Sequence, residues 1–232
     1  EREGHYELTG FLPALAIPAT LHDSLMARLD RMVTAKGVAQ LAAALGRRFH
    51  YALLHAVSPL DEATLQRELR QLVEADLVYQ QGLPPHAVYM FKHVLIQEAA
   101  YQSLLKSTRQ HYHQQIAQVL AARFPDTAVT QPELLAHHYT EAGLPAQAIP
   151  YWLQAGQSAV GRSANAEAIG HLTRGLEVLK TLPETPESIQ QELTFLLALC
   201  ASLSMLRGHT APEVQRAYTR AQELCRPAGD CE

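Results

Sequence analysis

Residues 89–105, YMFKHVLIQEAAYQSLL, change hydrophobic period in mid-stretch. Up to Lys92 the pattern is that of strands: Val78-Tyr79-Gln80 and Val88-Tyr89-Met90-Phe91 flank Gly82-Leu83-Pro84-Pro85, a run suited to a turn. From His93 onward Val94, Leu95, Ala99, Leu104 and Leu105 fall on or near one helical stripe, with Gln97, Glu98, Gln102 and Lys106 opposite. Tyr112, Ile116, Val119, Leu120 and Phe124 continue an apolar side. One long helix is therefore predicted over 94–124, kinked near Ser107-Thr108 and ended by Pro125-Asp126. A helix that leaves a hairpin and runs into a helical array is a mechanical joint between two differently built halves.

Upstream of the joint, Leu21, Leu25, Met26, Leu29 and Met32 make the apolar face of a first helix capped by Thr20. A second runs through Val38, Leu41, Ala42 and Leu45 to Gly46, and a third from about Tyr51 to Val57. Ser58-Pro59-Leu60-Asp61 opens a fourth: Asp61 can accept from first-turn N–H groups and Leu60 can staple onto Leu65, with Leu65, Leu69, Leu72, Val73 and Leu77 on the buried side. Short helices followed by a two-stranded wing are the order of a winged-helix domain, here residues 20–93. Residues 1–19, with one strand-like alternation at 5–9 and breaks at Pro13 and Pro18, read as the tail of a preceding domain. The first residue is Glu rather than Met, which suits a piece of a longer protein.

A winged helix raises the expectation of DNA binding, and charge opposes it. The fourth helix carries Asp61, Glu62, Glu68, Glu74 and Asp76 against Arg67 and Arg70, and the chain's formal net charge is −4. Phosphate neutralisation needs the opposite balance. Arg47-Arg48 is the one adjacent basic pair in this domain and reads as a solvated helix end. A DNA-binding regulator with a helical dimerisation or sensor tail is the competing possibility.

Downstream, Thr130-Gln131-Pro132-Glu133 and Thr210-Ala211-Pro212-Glu213 share a T-x-P-E arrangement that predicts two capping boxes, and repeated start signals suggest repeated units. Leu135-Ala136-His137-His138-Tyr139, Gly143, Ala148-Ile149, Trp152 and Ala155 resemble a tetratricopeptide repeat, in which small residues let paired helices approach. A second echo, Ala168-Ile169, Leu172 and Gly175, follows after 20 residues rather than the family's 34: one helix serves two neighbouring pairs, or the unit is shortened. A third, Val214, Ala217, Tyr218 and Ala221, follows a helix over about 186–205. The expected fold is mainly α: a winged-helix domain with a small β-hairpin wing, a connecting helix over 94–130, and a tetratricopeptide-like α-solenoid over 131–232. Such an array offers a concave surface to a protein or small effector. Tyr139, Tyr151 and Trp152 read as packing between helices.

Catalytic constellations are missing from the sequence. It holds no phosphate loop, no G-x-G-x-x-G, no H-E-x-x-H and no G-x-S-x-G. Of the 12 histidines, His111 and His113 are two apart on a helix and point away from each other, and His137-His138 are adjacent, so neither pair can chelate from one helix face and no metal is expected. Cys200, Cys225 and Cys231 have no metal or redox spacing and read as reduced thiols of a cytoplasmic protein. No apolar run is expected to reach the roughly 20 residues that span a bilayer.

His93 remains, placed where a wing gives way to a helix and unpaired N–H groups welcome an anion. An imidazole there can donate to a phosphate oxygen, or it can cap its own helix. The segments IPATLHDSLMARLDRM, SPLDEATLQRELRQLVEADLVYQ, FKHVLIQEAAYQSLLKSTRQ and PELLAHHYTEAGLPAQAIPYW resemble, over nearly the whole chain, the STAND class of signal-transduction ATPases. The resemblance is to bacterial multidomain proteins in which an AAA-type ATPase, often behind an adenylate or guanylate cyclase domain, precedes such repeats. It implies that His93 contacts the β-phosphate of ADP bound by an upstream nucleotide-binding domain of the same chain. Val94 stands where related switch proteins often have Asp. ATP or ADP with Mg would belong to the intact protein; within this piece no cofactor and no enzyme activity are expected.

Overall fold

Among residues 27–225, which the computed structural model describes, the chain is mainly helical and carries one small antiparallel sheet. The strand expected at 5–9, the start of the first helix and Cys231 lie outside the described residues. These residues fall into two compact units, one of 27–52 and Leu60–Leu104, the other of Leu53–Pro59 and 105–225.

The first unit takes in α1 (Val33–Leu45), β1 (Arg48–His50), the start of α2 (Tyr51–Val57), α3 (Glu62–Glu74), β2 (Val78–Gln81), β3 (Val88–Phe91) and α4 (Val94–Gln102). As expected, α1 stops at Gly46 and the Asp61 side chain accepts from the Thr64 N–H at 3.0 Å to start α3. Leu65, Leu69 and Leu72 then face the core. The exit from α3 turns through Asp76 at φ 59°, the Leu77 N–H reaching Leu72 O at 3.0 Å, and Arg28 Nη2 donates to Ala75 O at 2.6 Å. The sheet order is β1-β3-β2, with Phe49 opposite Tyr89 and Val78 opposite Phe91. Phe49 stacks on Tyr89 at 5.7 Å and meets Phe91 at 5.8 Å, so alternation along β3 buries Tyr89 and Phe91 and turns Met90 out. Strands β2 and β3 match the sequence expectation, and β1 corrects it: Arg47-Arg48 is not a helix end, because Arg48 begins a strand whose buried Phe49 locks it to β3.

The second unit holds α5 (Lys106–Arg123), α6 (Pro125–Thr130), α7 (Pro132–Glu141), α8 (Pro145–Gly161), α9 (Asn165–Leu179), α10 (Pro186–Arg207) and α11 (Pro212–Cys225). From α7 onward each helix packs against the next, and α5 packs on α7. Two connections are built alike. After α7 the chain turns through Gly143 at φ 74° and the Leu144 N–H returns to Tyr139 O; after α8 it turns through Ser163 at φ 60° and the Ala164 N–H returns to Ala159 O. Close approach is set by two glycines. A Cβ on Gly156 would sit inside the Leu172 side chain, and one on Gly175 inside the Phe195 ring, with Trp152 Cβ at 3.0 Å. Tyr139 stacks on Tyr151 at 5.7 Å, and Trp152, 7% exposed, donates to Thr140 Oγ1 at 3.0 Å, so these aromatics do join helices as expected. Tyr218 instead faces solvent.

Three expectations about helix ends are corrected. The single helix over 94–124 is two, because α4 stops at Gln102 and Leu105 is extended, at φ −62° and ψ 148°. The break lies at 103–105 rather than at Ser107-Thr108; there the Ser103 hydroxyl bonds back to Ala100 O at 2.7 Å and accepts Gln40 Nε2 at 2.8 Å, competing with continued helix. Pro125 follows the end of α5 as expected, but the short polar loop expected after it is instead α6, with Pro125 as its first residue, where a missing N–H costs nothing. Neither T-x-P-E run forms a box: the Thr130 hydroxyl bonds back to Asp126 O within α6, and α11 starts after Ala211. The reciprocal box is at Thr185 and Ser188, which exchange N–H bonds of 3.2 and 2.8 Å. By length and composition α10 is apolar enough to cross a membrane, with mean hydropathy 1.4, contrary to expectation. Here Phe195, Leu196, Leu199 and Cys200 are buried, and α10 packs against α9 and α11.

Candidate functional site

His93 is the residue just before α4, in an extended conformation, φ −125° and ψ 142°. It is placed there because β3 ends at Phe91, whose N–H is held by Arg47 O at 2.9 Å, while the Lys92 N–H is held by Leu77 O at 3.1 Å. The strand end that leads into His93 is thus held from the β1 side and from the β2 side. The imidazole is exposed and makes no capping bond to its own helix. The His93 carbonyl accepts the Ile96 N–H at 3.1 Å, and the first-turn N–H groups of Val94 and Leu95 lie ahead of any intrahelical acceptor. No acidic side chain occupies the first turn, so the positive end of the helix is uncompensated by its own residues. The neighbouring cation is committed elsewhere: Lys92 pairs with Asp76 and lies 4.8 Å over the Tyr79 ring, and this pairing holds its ammonium above the usual lysine range. An anion arriving at α4 would therefore meet imidazole and backbone donors.

The face of α3 is acidic. Glu68 is buried, where it accepts Thr34 Oγ1 at 2.7 Å and Arg67 at 3.0 Å, which leaves Asp61, Glu62, Glu74 and Asp76 exposed against Arg67 and Arg70. Arg47 and Arg48 are exposed.

A groove of ≈ 340 Å³ lies among α9, α10 and α11. Its floor is Ile169, Leu196, Leu199 and Leu203, and arginines 207, 216 and 220 stand with Glu213 on its rim. Arg207 pairs with Glu213, and Arg220 with Glu192 at 2.8 Å.

Histidines that the sequence could not pair come together between α5 and α7. His113 Nδ1 and His138 Nδ1 are 2.8 Å apart, both rings are buried, and the exposed His137 meets His113 edge-on at a centroid distance of 5.7 Å. One ligating nitrogen from each of the three lies within 4.8 Å of the others. The short Nδ1 pair requires one donor and one acceptor, so the accepting ring is neutral. Burial, and then the charge of His137, pushes His113 down to about 4; burial pushes His138 down as well, reinforced by His113 and His137. His137, exposed at the surface, is lowered by the partial desolvation it meets among its neighbours, with Glu141 acting upward and Arg174 downward. His138 Nε2 is enclosed with no hydrogen-bond partner. Spacing rules along one helix reject His111 with His113 and His137 with His138; the contact that matters joins residues 25 apart, for which a single sequence carries no sign.

No family model matches the chain, and no solved structure matches it. A similar protein is an uncharacterized one from Rhizobium meliloti (strain 1021), 30% identical over 203 residues, which are 87% of this chain and 20% of that relative. The chain thus spans about a fifth of the length of the relative it matches.

Proposed function

We propose that this chain is a non-catalytic regulatory segment of a STAND-type signalling ATPase of the cytoplasm, of the kind that in some members follows a nucleotide cyclase domain. In this proposal the first unit is a winged helix, with β2 and β3 as the wing and β1 completing the sheet. The second is a tetratricopeptide-like array in which α8 serves both the α7 and the α9 pairing. That assignment explains the spacing of 20 residues, and the two matching left-handed exits support it. His93 donates to a phosphate of ADP held by an upstream nucleotide-binding domain, and the groove among α9, α10 and α11 takes the effector.

The observation that carries this reading is the exposed, uncapped imidazole at the start of α4, directly after a strand end held by both neighbouring chain segments. Supporting it, the relative matches over a stretch only a fifth of its length, as expected of a segment within a larger machine. The test is nucleotide retention in the longer protein that the proposal requires. His93→Ala should release ADP faster than wild type, by about tenfold for the loss of one charge-assisted bond worth roughly 1.4 kcal/mol. Unchanged release would remove His93 from the mechanism.

A further inference from the structure

We propose that His113, His137 and His138 form a binding site for one borderline divalent transition-metal ion, Zn²⁺ foremost. The three rings come from two helices packed on each other, so the ligands are carried on fixed elements rather than on loops. Zn–N bonds of about 2.0–2.1 Å put two tetrahedral nitrogen ligands roughly 3.3 Å apart. The His113 and His138 Nδ1 atoms at 2.8 Å already lie within that span, and the third nitrogen, within 4.8 Å, closes by a change of side-chain torsion at the exposed His137. The same exposure gives the ion a way in. Three imidazoles without an oxygen cage favour Zn²⁺, Cu²⁺, Ni²⁺ or Co²⁺ over Mg²⁺ and Ca²⁺.

The mutual hydrogen bond of the buried pair joins Nδ1 to Nδ1, so both of these nitrogens already face one point between the helices. An ion between the two Nδ1 atoms replaces that hydrogen bond, with the donating ring carrying its proton on Nε2 instead. Around the cluster, Glu141 acts on His137 as a nearby negative charge, one turn further along α7, and Arg174 of α9 as a positive one. Glu141 is thus placed to offset part of the ion's charge, and Arg174 opposes it.

The test uses the 232-residue chain stripped with chelator and titrated calorimetrically with ZnCl₂. In parallel, Co²⁺ is added and its visible ligand-field bands recorded. One ion per chain and intense Co²⁺ bands of a low-coordinate nitrogen site are expected. His137→Ala, which removes an exposed side chain and leaves the buried pair in place, should weaken Zn²⁺ binding by about tenfold or more, and His113→Gln should do the same. His111→Ala, one turn-face away and exposed, should leave it unchanged. Absence of binding by the wild-type chain, or equal binding by wild type and His137→Ala, would overturn the site.

Discussion

His138 and His113 are both held neutral by burial, and this sets a pH dependence for the metal-free chain. A histidine whose folded pKa lies below its unfolded 6.5 leaves the unfolded state binding more protons, so stability falls as pH falls. The loss should begin near pH 6.5 and continue to about pH 4 for His113, at a slope of at most about 1.4 kcal/mol per pH unit for each proton. Urea midpoints measured between pH 7 and pH 4.5 check this, and a flat profile would show the rings to be open to protons. Removing the Thr185 hydroxyl by Thr185→Ala should cost about 1 kcal/mol in the same assay, since it breaks the reciprocal box with Ser188. At this scale legibility followed sequence distance. Asp61 announced its cap to Thr64 three residues on, whereas the His113–His138 contact depends on how two helices lie. His93 was legible because its position follows from where a strand pattern yields to a helical one.

Among elements, the closeness of α8, α9 and α10 rests on missing side chains. Gly175→Ala should destabilise by about 1–3 kcal/mol, because its methyl meets the Phe195 ring and Trp152 Cβ, which are buried and cannot yield cheaply. Gly170→Ala on the exposed side of α9 meets nothing within 4 Å and should stabilise by up to about 1 kcal/mol through helix propensity. Thermal or urea unfolding of the two variants provides the check, and opposite signs are expected. Apolar periodicity located nearly every helix, and failed where chemistry interrupts it. The break between α4 and α5 depends on Ser103 reaching Ala100 O and Gln40, and leaves Leu104 buried beside the exposed Leu105. Strand β1 has three residues, too few for a period to show, and only its pairing with β3 defines it.

For the whole molecule, charge and connectivity separate the competing functions. With four exposed acids against two arginines on and beside α3, and a net charge of −4, random duplex DNA should show no salt-dependent binding even at about 50 mM salt. A mobility shift that fades as salt rises would favour the DNA-binding regulator. In the proposed mechanism the start of α4 meets the phosphate of a nucleotide held elsewhere in a longer protein. Amide hydrogen exchange of that protein, with ADP bound and with the nucleotide removed, addresses it most directly. The Val94 and Leu95 amides should exchange more slowly with ADP bound, and His93→Ala should abolish the difference. Equal exchange at these amides in both states would contradict it.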